Sequence, residues 1–422
     1  MSNYKSELMK TLTGRGFLYQ CTDETALDAL AAKECVTGYI GFDCTAPSLH
    51  VGSLVQIMML RILQKSGGRP IVLLGGGTTK IGDPSDKDKS RPILTPEKIE
   101  ENKNGIKRVF SQFLDFDGPN AAIMVDNADW LDGLGYIEFL RDIGKHFTVN
   151  KMIALESVKR RLENEQPMTF LEFNYTLLQS YDYLELNRRH GCRLQLGGSD
   201  QWGNILGGAD LTRRLEGAEV YGFTTPLITT ASGGKMGKTA EGARWLNADE
   251  SLGKQFSLSA YDYWQFWRNT EDADVGKFLR LFTDLPLDEI AQLEALEGAD
   301  INKAKIRLAG EATTLLHGAN AAQTAEATAK KTFEQGGAAA GLPTFEVPMA
   351  DLENTQLIDA GLLTGLCASK GEARRHIKAG ALRLNGVQVK DMAAALSTSD
   401  INDEGVVKIS VGKKKHALIK PI

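Results

Sequence analysis

The first 225 or so residues alternate short apolar runs with longer segments of helical period, and this alternation limits the fold more than any other property of the chain. TGYIGFD (37–43) reads as a strand and VGSLVQIMMLRILQKSG (51–67) as an amphipathic helix closed by Gly67. RPIVLLGGG (69–77) reads as a second strand and AAIMVDNADW (121–130) as a third. Strands spaced by helices imply βαβ crossovers, hence an α/β protein with a Rossmann-like parallel sheet whose ligands bind beyond the carboxyl ends of the strands. Two loops fall at such ends, CTAPSLHVGSL (44–54) and GGGTTKIGDPSDK (75–87).

A chain of 422 residues, 42% hydrophobic, is long enough for two to three domains with sizeable cores. From about Asn247 to Lys331 the pattern turns helical, with YDYWQFWRN and AKIRLAGEATTLLHG placing apolar residues at three- and four-residue spacing. FEQGGAAAGLPTFEVPM then interrupts any period. The expected layout is an α/β domain over 1–246, a helical domain over 247–333, a linker over 334–350 and a small α+β domain over 351–422. From Leu366 onward 11 Lys and Arg face 5 Asp and Glu, a net +6 that leaves −11 on the remainder of a chain whose total is −5. A basic tail on an acidic body points to a polyanionic partner. No run approaches the roughly 18 apolar residues of a membrane span, and MSNYKSELMK lacks a signal peptide's apolar core, so a soluble cytoplasmic protein is expected. Five cysteines without a CxxC pair and six histidines without HxxxH suggest neither a disulfide framework nor a structural metal site.

Four stretches carry candidate chemistry. Where a strand feeds a helix, free backbone N–H groups and the positive end of the helix dipole favour an anion such as phosphate. His50, Gly52 and Ser53 sit at such a place, with Thr45 and His50 as side-chain donors. A lone histidine there also fits a purely structural role. ASGGKMGKT (231–239) sets Lys235 and Lys238 in a Gly-rich loop able to close over a polyphosphate, or simply to remain a solvated basic loop. It is not a P-loop, because GxxxxGK[ST] requires glycine where the chain has Ser232. In NYTLLQSYDYLEL (174–186), Tyr175, Gln179 and Asp182 fall at i, i+4 and i+7 on one helix face, polar within an apolar helix. That face suits a small-molecule pocket or a buried polar network; Asp83 could add charge for an ammonium or cap a turn. In LGGSDQWGNI (196–205), Gly197, Gly198, Asp200 and Gln201 lie on a strand-to-helix turn suited to sugar hydroxyls, although Gly-Ser-Asp is also ordinary cap chemistry.

Taken in order, TAPSLHVGS, IGDPSDK, YTLLQSYD, GGSDQWGN and KMGKT resemble the signature stretches of class I aminoacyl-tRNA synthetases, and together those of the bacterial-type tyrosyl-tRNA synthetase family. The resemblance spans nearly the whole chain. It implies ATP-dependent activation of L-tyrosine to tyrosyl-adenylate with release of pyrophosphate, then transfer to the terminal adenosine of tRNA(Tyr), with Mg2+ accompanying ATP. Tyr39 and Asp182 would bind the tyrosine hydroxyl; Asp83, Tyr175 and Gln179 would hold the ammonium, with Gln201 near the carboxylate. Gly41, Asp43, Gly52, Ser53, Gly198 and Asp200 would face the nucleotide. Thr45 and His50 would contact the departing phosphates, joined by Lys87, Arg91, Lys235, Lys238 and Thr239.

The family's motif commonly has His or Asn where this chain has Ser53, and often Cys where it has Ile40. CASKGEARRHIKAGALRLNGVQV (367–389) resembles an S4 RNA-binding domain, whose short helix would present Lys370, Arg374, Arg375 and Lys378, with KKK at 413–415 nearby in sequence. The resemblance also implies a homodimer, with a dimerisation segment inside the first domain around residues 130–165. Three other readings remain at this level: a related class I synthetase, tryptophanyl above all; a non-enzymatic RNA-binding protein on a synthetase scaffold; and, more distant, a P-loop NTPase.

Overall fold

A computed structural model describes residues 4–83, 94–234, 236, 238–239, 242–247, 256–334, 342–402, 405–412 and 415–422. The chain forms two compact units, Met1–Leu258 with Thr270–Ala304, and Ser259–Asn269 with Lys305–Ile422.

The first unit is built on a six-stranded sheet of β1 (Gln20–Cys21), β2 (Thr37–Asp43), β3 (Arg69–Gly75), β4 (Ile123–Asp126), β5 (Leu194–Gly198) and β6 (Tyr221–Thr225), in the order β1-β6-β5-β2-β3-β4. All neighbours are parallel except β1, which runs antiparallel to β6 at the edge. A parallel sheet is covered on both faces, and the central strands are accordingly apolar on both; β5 and β6 are buried at every position. A short antiparallel pair, β7 (Lys238–Thr239) with β8 (Gly242–Ala243), stands apart from this sheet.

The helix expected after β2 begins as a 3-10 turn, Val51–Ser53, and continues over Leu54–Lys65; Gly67, at φ +86°, takes the left-handed conformation that ends it. The strand expected over 121–130 is shorter. It stops at Asp126, whose carboxylate accepts the Ala128 N–H at 2.9 Å and the Gly76 N–H at 3.1 Å, turning the chain into the helix Ala128–Leu131. Asn127 and Trp130 thereby leave the sheet and project from a turn at its carboxyl edge.

The polar-faced helix runs over Tyr175–His190 and ends at Gly191, φ +63°. It packs on the helix Trp202–Glu216 at very close range: a Cβ on Gly207 would lie 2.7 Å from Ser180 Oγ, and one on Gly208 would lie 3.0 Å from Tyr183 Cβ. Only glycine admits that approach, and the packing seats residues 175, 179 and 182 beside the ends of β2 and β5.

The second unit contains the helices Ala260–Arg268 and Ala319–Glu334, and the greater part of Ile301–His317. Tyr263 packs edge-on to Trp267 and His317, with ring centroids 6.0 and 5.4 Å apart. The region expected as one helical domain, 247–333, is thus divided: its middle, Thr270–Ala304, packs with the first unit, where Arg15 donates to the carbonyls of Arg280 and Thr283 at 2.9 and 2.8 Å and so caps the helix Val275–Phe282.

The C-terminal sheet comprises β9 (Thr344–Val347), β10 (Leu382–Leu384), β11 (Val387–Gln388), β12 (Val407–Val411) and β13 (Lys415–Pro421), in the order β11-β10-β12-β13-β9. Its core gathers Val347, Leu352, Leu357, Ile377, Leu382, Val407, Ile409 and Ile419. β9 lies inside the stretch expected to be linker. Pro343 and Pro348 bracket a four-residue alternation that pairs in parallel with β13 at the sheet edge, where proline is tolerated.

Candidate active site

A cleft of about 390 Å³ opens at the carboxyl ends of β2, β3 and β5 in the first unit. Every sequence-nominated site residue of that unit whose side chain is described lines it: Tyr39, Gly41, Asp43, Thr45, His50, Gly52, Ser53, Asp83, Tyr175, Gln179, Asp182, Gly198, Asp200 and Gln201. Lys87, Arg91 and Lys235 lie outside the described residues. Lys238 and Thr239 form β7, and their side chains are likewise outside the description.

The deep end is a recognition hole. Asp182 is 2% exposed and its two oxygens are each held by one donor, Asn127 Nδ2 at 3.0 Å and Trp130 Nε1 at 2.8 Å. Burial pushes its carboxyl up to about 7, against the pull of those two donors. Tyr39, 1% exposed, packs edge-on to Tyr183 with centroids 5.3 Å apart, and its hydroxyl has no hydrogen-bond partner among the described residues. Burial, reinforced by the Asp182 charge, holds the Tyr39 phenol well above its ordinary range, so it is neutral and can donate. The side-chain oxygens of Gln179 and Gln195 are also buried without partners. Unpaired buried polar atoms are costly, and their convergence in one cleft marks the place where a polar ligand would pair with them.

The middle of the cleft is a chain of amides and carboxylates. Gln179 Nε2 donates to Gln201 Oε1 at 3.2 Å, and Gln201 Nε2 donates to Asp83 at 3.0 Å and to Asp200 at 2.9 Å. Asp200 follows β5 on the 3-10 turn Ser199–Gln201; a Cβ on Gly198 would collide with its Oδ1.

At the outer end His50 caps the turn Val51–Ser53, its Nδ1 accepting the Gly52 N–H at 3.0 Å. A neutral ring so engaged carries its proton on Nε2, which makes that nitrogen a donor. A Cβ on Gly52 would lie 2.7 Å from the carbonyl oxygen of Met236, so the main chain at Met236 approaches the histidine turn across a position only glycine can occupy. Residues 244–246 run beside residues 49–51, with Val51 N–H donating to Arg244 O at 2.8 Å and Leu246 N–H to Leu49 O at 2.7 Å. Trp245 consequently lines the cleft, its ring centroid 6.3 Å from that of His50. Asp43 accepts from Thr78 Oγ1 at 3.0 Å.

The sequence reading missed Asn127, Trp130, Gln195 and Trp245. Gln195 lies opposite Tyr39 in the β2–β5 pairing, and NADW follows directly on a strand, so the rule that drew attention to His50 would also have found Asn127 and Trp130 had that strand been ended at Asp126.

A helix-start histidine with cleft-lining glycines and, beyond them, a buried carboxylate beside an unpaired phenol define an α/β enzyme that holds an anionic nucleotide next to a small polar substrate. Residues 32–334 match the family of class I tRNA synthetases (W and Y), and residues 334–419 match the tyrosine--tRNA ligase SYY-like C-terminal domain. A tyrosine--tRNA ligase of Rhodospirillum rubrum is 59% identical over 422 residues, covering 100% of this chain and 99% of its own. One from Caulobacter sp. (strain K31) is 59% identical over 424, with 100% and 99% coverage. A C-terminally truncated mitochondrial tyrosyl-tRNA synthetase of Aspergillus nidulans superposes with a TM-score of 0.68 at 28% identity, covering 78% of this chain and 94% of that one. The chain belongs to the class I tRNA synthetases of the W and Y family, and its C-terminal part to the domain family of the tyrosine--tRNA ligases.

Proposed function

We propose that the chain is a tyrosine-tRNA ligase. It activates L-tyrosine with ATP to tyrosyl-adenylate and pyrophosphate, then passes the tyrosyl group to the 3'-terminal adenosine of tRNA(Tyr). Full-length relatives of that activity support this reading, and the observation in the cleft that carries it is the buried Asp182 carboxylate beside the partnerless Tyr39 hydroxyl. Tyr39 donates to the substrate phenol oxygen while the phenol donates to Asp182; Asp83, Tyr175 and Gln179 take the ammonium, and Gln201 lies by the carboxylate. Gly41, Asp43, Ser53, Gly198 and Asp200 border the adenosine. Thr45 and His50 meet the phosphates, assisted by Lys87, Arg91, Lys235, Lys238 and Thr239.

In this arrangement the tyrosine carboxylate attacks the α-phosphorus of ATP, and the bond to pyrophosphate breaks with its electron pair leaving on oxygen. No side chain acts as nucleophile. The protein aligns carboxylate and phosphorus and meets charge that accumulates on the leaving phosphates. Among the described residues no cluster of three His, Cys, Asp or Glu could hold a metal ion. Magnesium would enter with ATP as part of the substrate, held mainly by phosphate oxygens and water.

Tyrosine-dependent exchange of pyrophosphate into ATP tests the assignment. Exchange driven by tryptophan in place of tyrosine, or by no amino acid at all, would overturn it.

The second substrate is read by the C-terminal part. The helix Lys370–Lys378, N-capped by Ser369, exposes Lys370, Arg374, Arg375 and Lys378; Lys370 also pairs with Asp359 at 2.6 Å. Lys413 and Lys414 lie outside the described residues. The triple variant Arg374→Ala/Arg375→Ala/Lys378→Ala is expected to keep wild-type pyrophosphate exchange while tRNA charging falls at least ten-fold. The dependence of tRNA affinity on salt should also become shallower, since fewer phosphates are neutralised and fewer counterions released on binding. Unchanged charging would remove this helix from the RNA surface.

Tyr136, Ile137, Val149, Ile153, Leu162, Phe170 and Leu171 expose apolar side chains within one part of the first unit, which supports a homodimer through this segment. Sedimentation as a monomer at micromolar concentration would exclude it. No helix among the described residues is long and apolar enough to cross a membrane, and work on tRNA suits the cytoplasm.

A further inference from the structure

Asp274 lies where the 3-10 turn Asp272–Asp274 runs directly into the helix Val275–Phe282, in helical conformation at φ −95° and ψ −13°, and its carboxylate does not cap that helix. Although only 4% exposed, its carboxylate instead accepts the backbone N–H of Ala231, 43 residues away, at 2.8 Å. Ala231 belongs to a tight turn in which Gly233 N–H donates to Thr230 O at 2.8 Å, Thr230 N–H to Gly234 O at 2.9 Å and Met236 N–H to Ile228 O at 3.2 Å. Two further bonds tie the same turn to the same short segment: Ser232 Oγ donates to Glu271 Oε1 at 2.8 Å, and Lys277 Nζ donates to Thr229 O at 3.1 Å. On its far side the turn brings the Met236 carbonyl against Gly52, beside His50.

We propose that Asp274 is a positioning residue for tyrosine activation: with Glu271 and Lys277 it holds residues 229–232, and through them the Met236 carbonyl that meets Gly52 beside His50 at the phosphate end of the cleft. A buried carboxylate that accepts a backbone N–H 43 residues away ties the two segments together where neither could hold the other by local structure. Three bonds from one seven-residue stretch, 271–277, reach Thr229, Ala231 and Ser232 and hold the base of that loop at three points. The inference rests on the tyrosine-activation reading. Its effect falls on the phosphate end, so it lowers turnover and weakens ATP use while leaving the tyrosine hole as it is.

The test uses the full-length chain with tyrosine, ATP and pyrophosphate. Asp274→Ala is expected to lower kcat for exchange about ten-fold and raise the KM for ATP, with tyrosine KM within two-fold and faster hydrogen exchange at residues 229–234. Asp274→Asn keeps an acceptor oxygen and is expected to restore most of the rate and the protection. The double variant Glu271→Ala/Lys277→Ala, which removes the two exposed ties, is expected to shift the same parameters in the same direction by about three-fold. Wild-type kinetics in Asp274→Ala would overturn the proposal. So would an equal fall of all parameters in both Asp274 variants together with loss of melting temperature, or, if Asp274→Ala does not fold, wild-type kinetics in the double variant. Absence of exchange in the unmodified chain would instead remove the activation reading itself.

Discussion

Asp182→Ala is expected to abolish useful tyrosine binding, with affinity falling at least 100-fold in equilibrium dialysis. On the proposed reading the carboxylate accepts the substrate's phenolic hydroxyl, and it also accepts from Asn127 Nδ2 and Trp130 Nε1. Truncation would leave the Trp130 Nε1–H buried without its partner, at a cost of about 1–3 kcal/mol, would leave Asn127 Nδ2 with Thr78 Oγ1 alone, and would leave the substrate hydroxyl unanswered as well. Wild-type affinity in this variant would dispose of the pocket assignment. The same group makes binding depend on pH. Because burial raises the Asp182 carboxyl to about 7, a good part of the free protein carries it protonated near neutrality, whereas a donated phenol hydroxyl selects the ionised form. Tyrosine affinity is therefore expected to rise as pH increases from 6 to 8, with proton release on binding at the lower end, measurable by calorimetry in buffers of different ionisation enthalpy. For folding the sign is opposite: a carboxyl raised above its unfolded value favours the folded state below about pH 4, and that contribution is lost as pH rises through about 7. The recognition carboxylate thus destabilises the ligand-free protein at neutral pH, and bound tyrosine offsets that cost.

His50→Ala is expected to slow adenylate formation by about 10²–10³, equivalent to about 3–4 kcal/mol, while tyrosine KM stays within two-fold. The prediction follows from the tautomer. With Nδ1 accepting the Gly52 N–H, the ring's donor is Nε2–H, at a turn whose free backbone amides also favour anions. On the proposed reading this donor meets charge that grows as the phosphate bond breaks, so its loss should be felt in kcat and little in ground-state affinity. His50 also caps the Val51–Ser53 turn, and loss of the cap adds about 1 kcal/mol of destabilisation, visible as a modest fall in melting temperature. Unaltered single-turnover adenylate formation would remove His50 from the mechanism.

Much of this site was legible because its parts obey local rules. TGYIGFD occupies β2 residue for residue, and the i, i+4, i+7 spacing of Tyr175, Gln179 and Asp182 puts all three on one wall of the cleft. What escaped depended on long-range pairing. No periodicity announces that residues 244–246 run beside residues 49–51, nor that Thr270–Ala304 leaves its helical neighbours to pack with the first unit. Asn127 and Trp130 were hidden by reading an apolar run through a turn made by a single side chain, Asp126. The strand β9 was hidden by prolines that punctuate sequence but, at a sheet edge, merely bracket it.

The glycine seam between the helices Tyr175–His190 and Trp202–Glu216 has a consequence for how choosy the enzyme can be. Where two helices meet through interlocked side chains, rotamers can shuffle and a cavity beside them can swell or shrink. Here main chain meets the side chains of Ser180 and Tyr183 directly at Gly207 and Gly208, so on the proposed reading the wall behind the phenol site has little room to slide, and a change of diet would fall to the lining residues themselves.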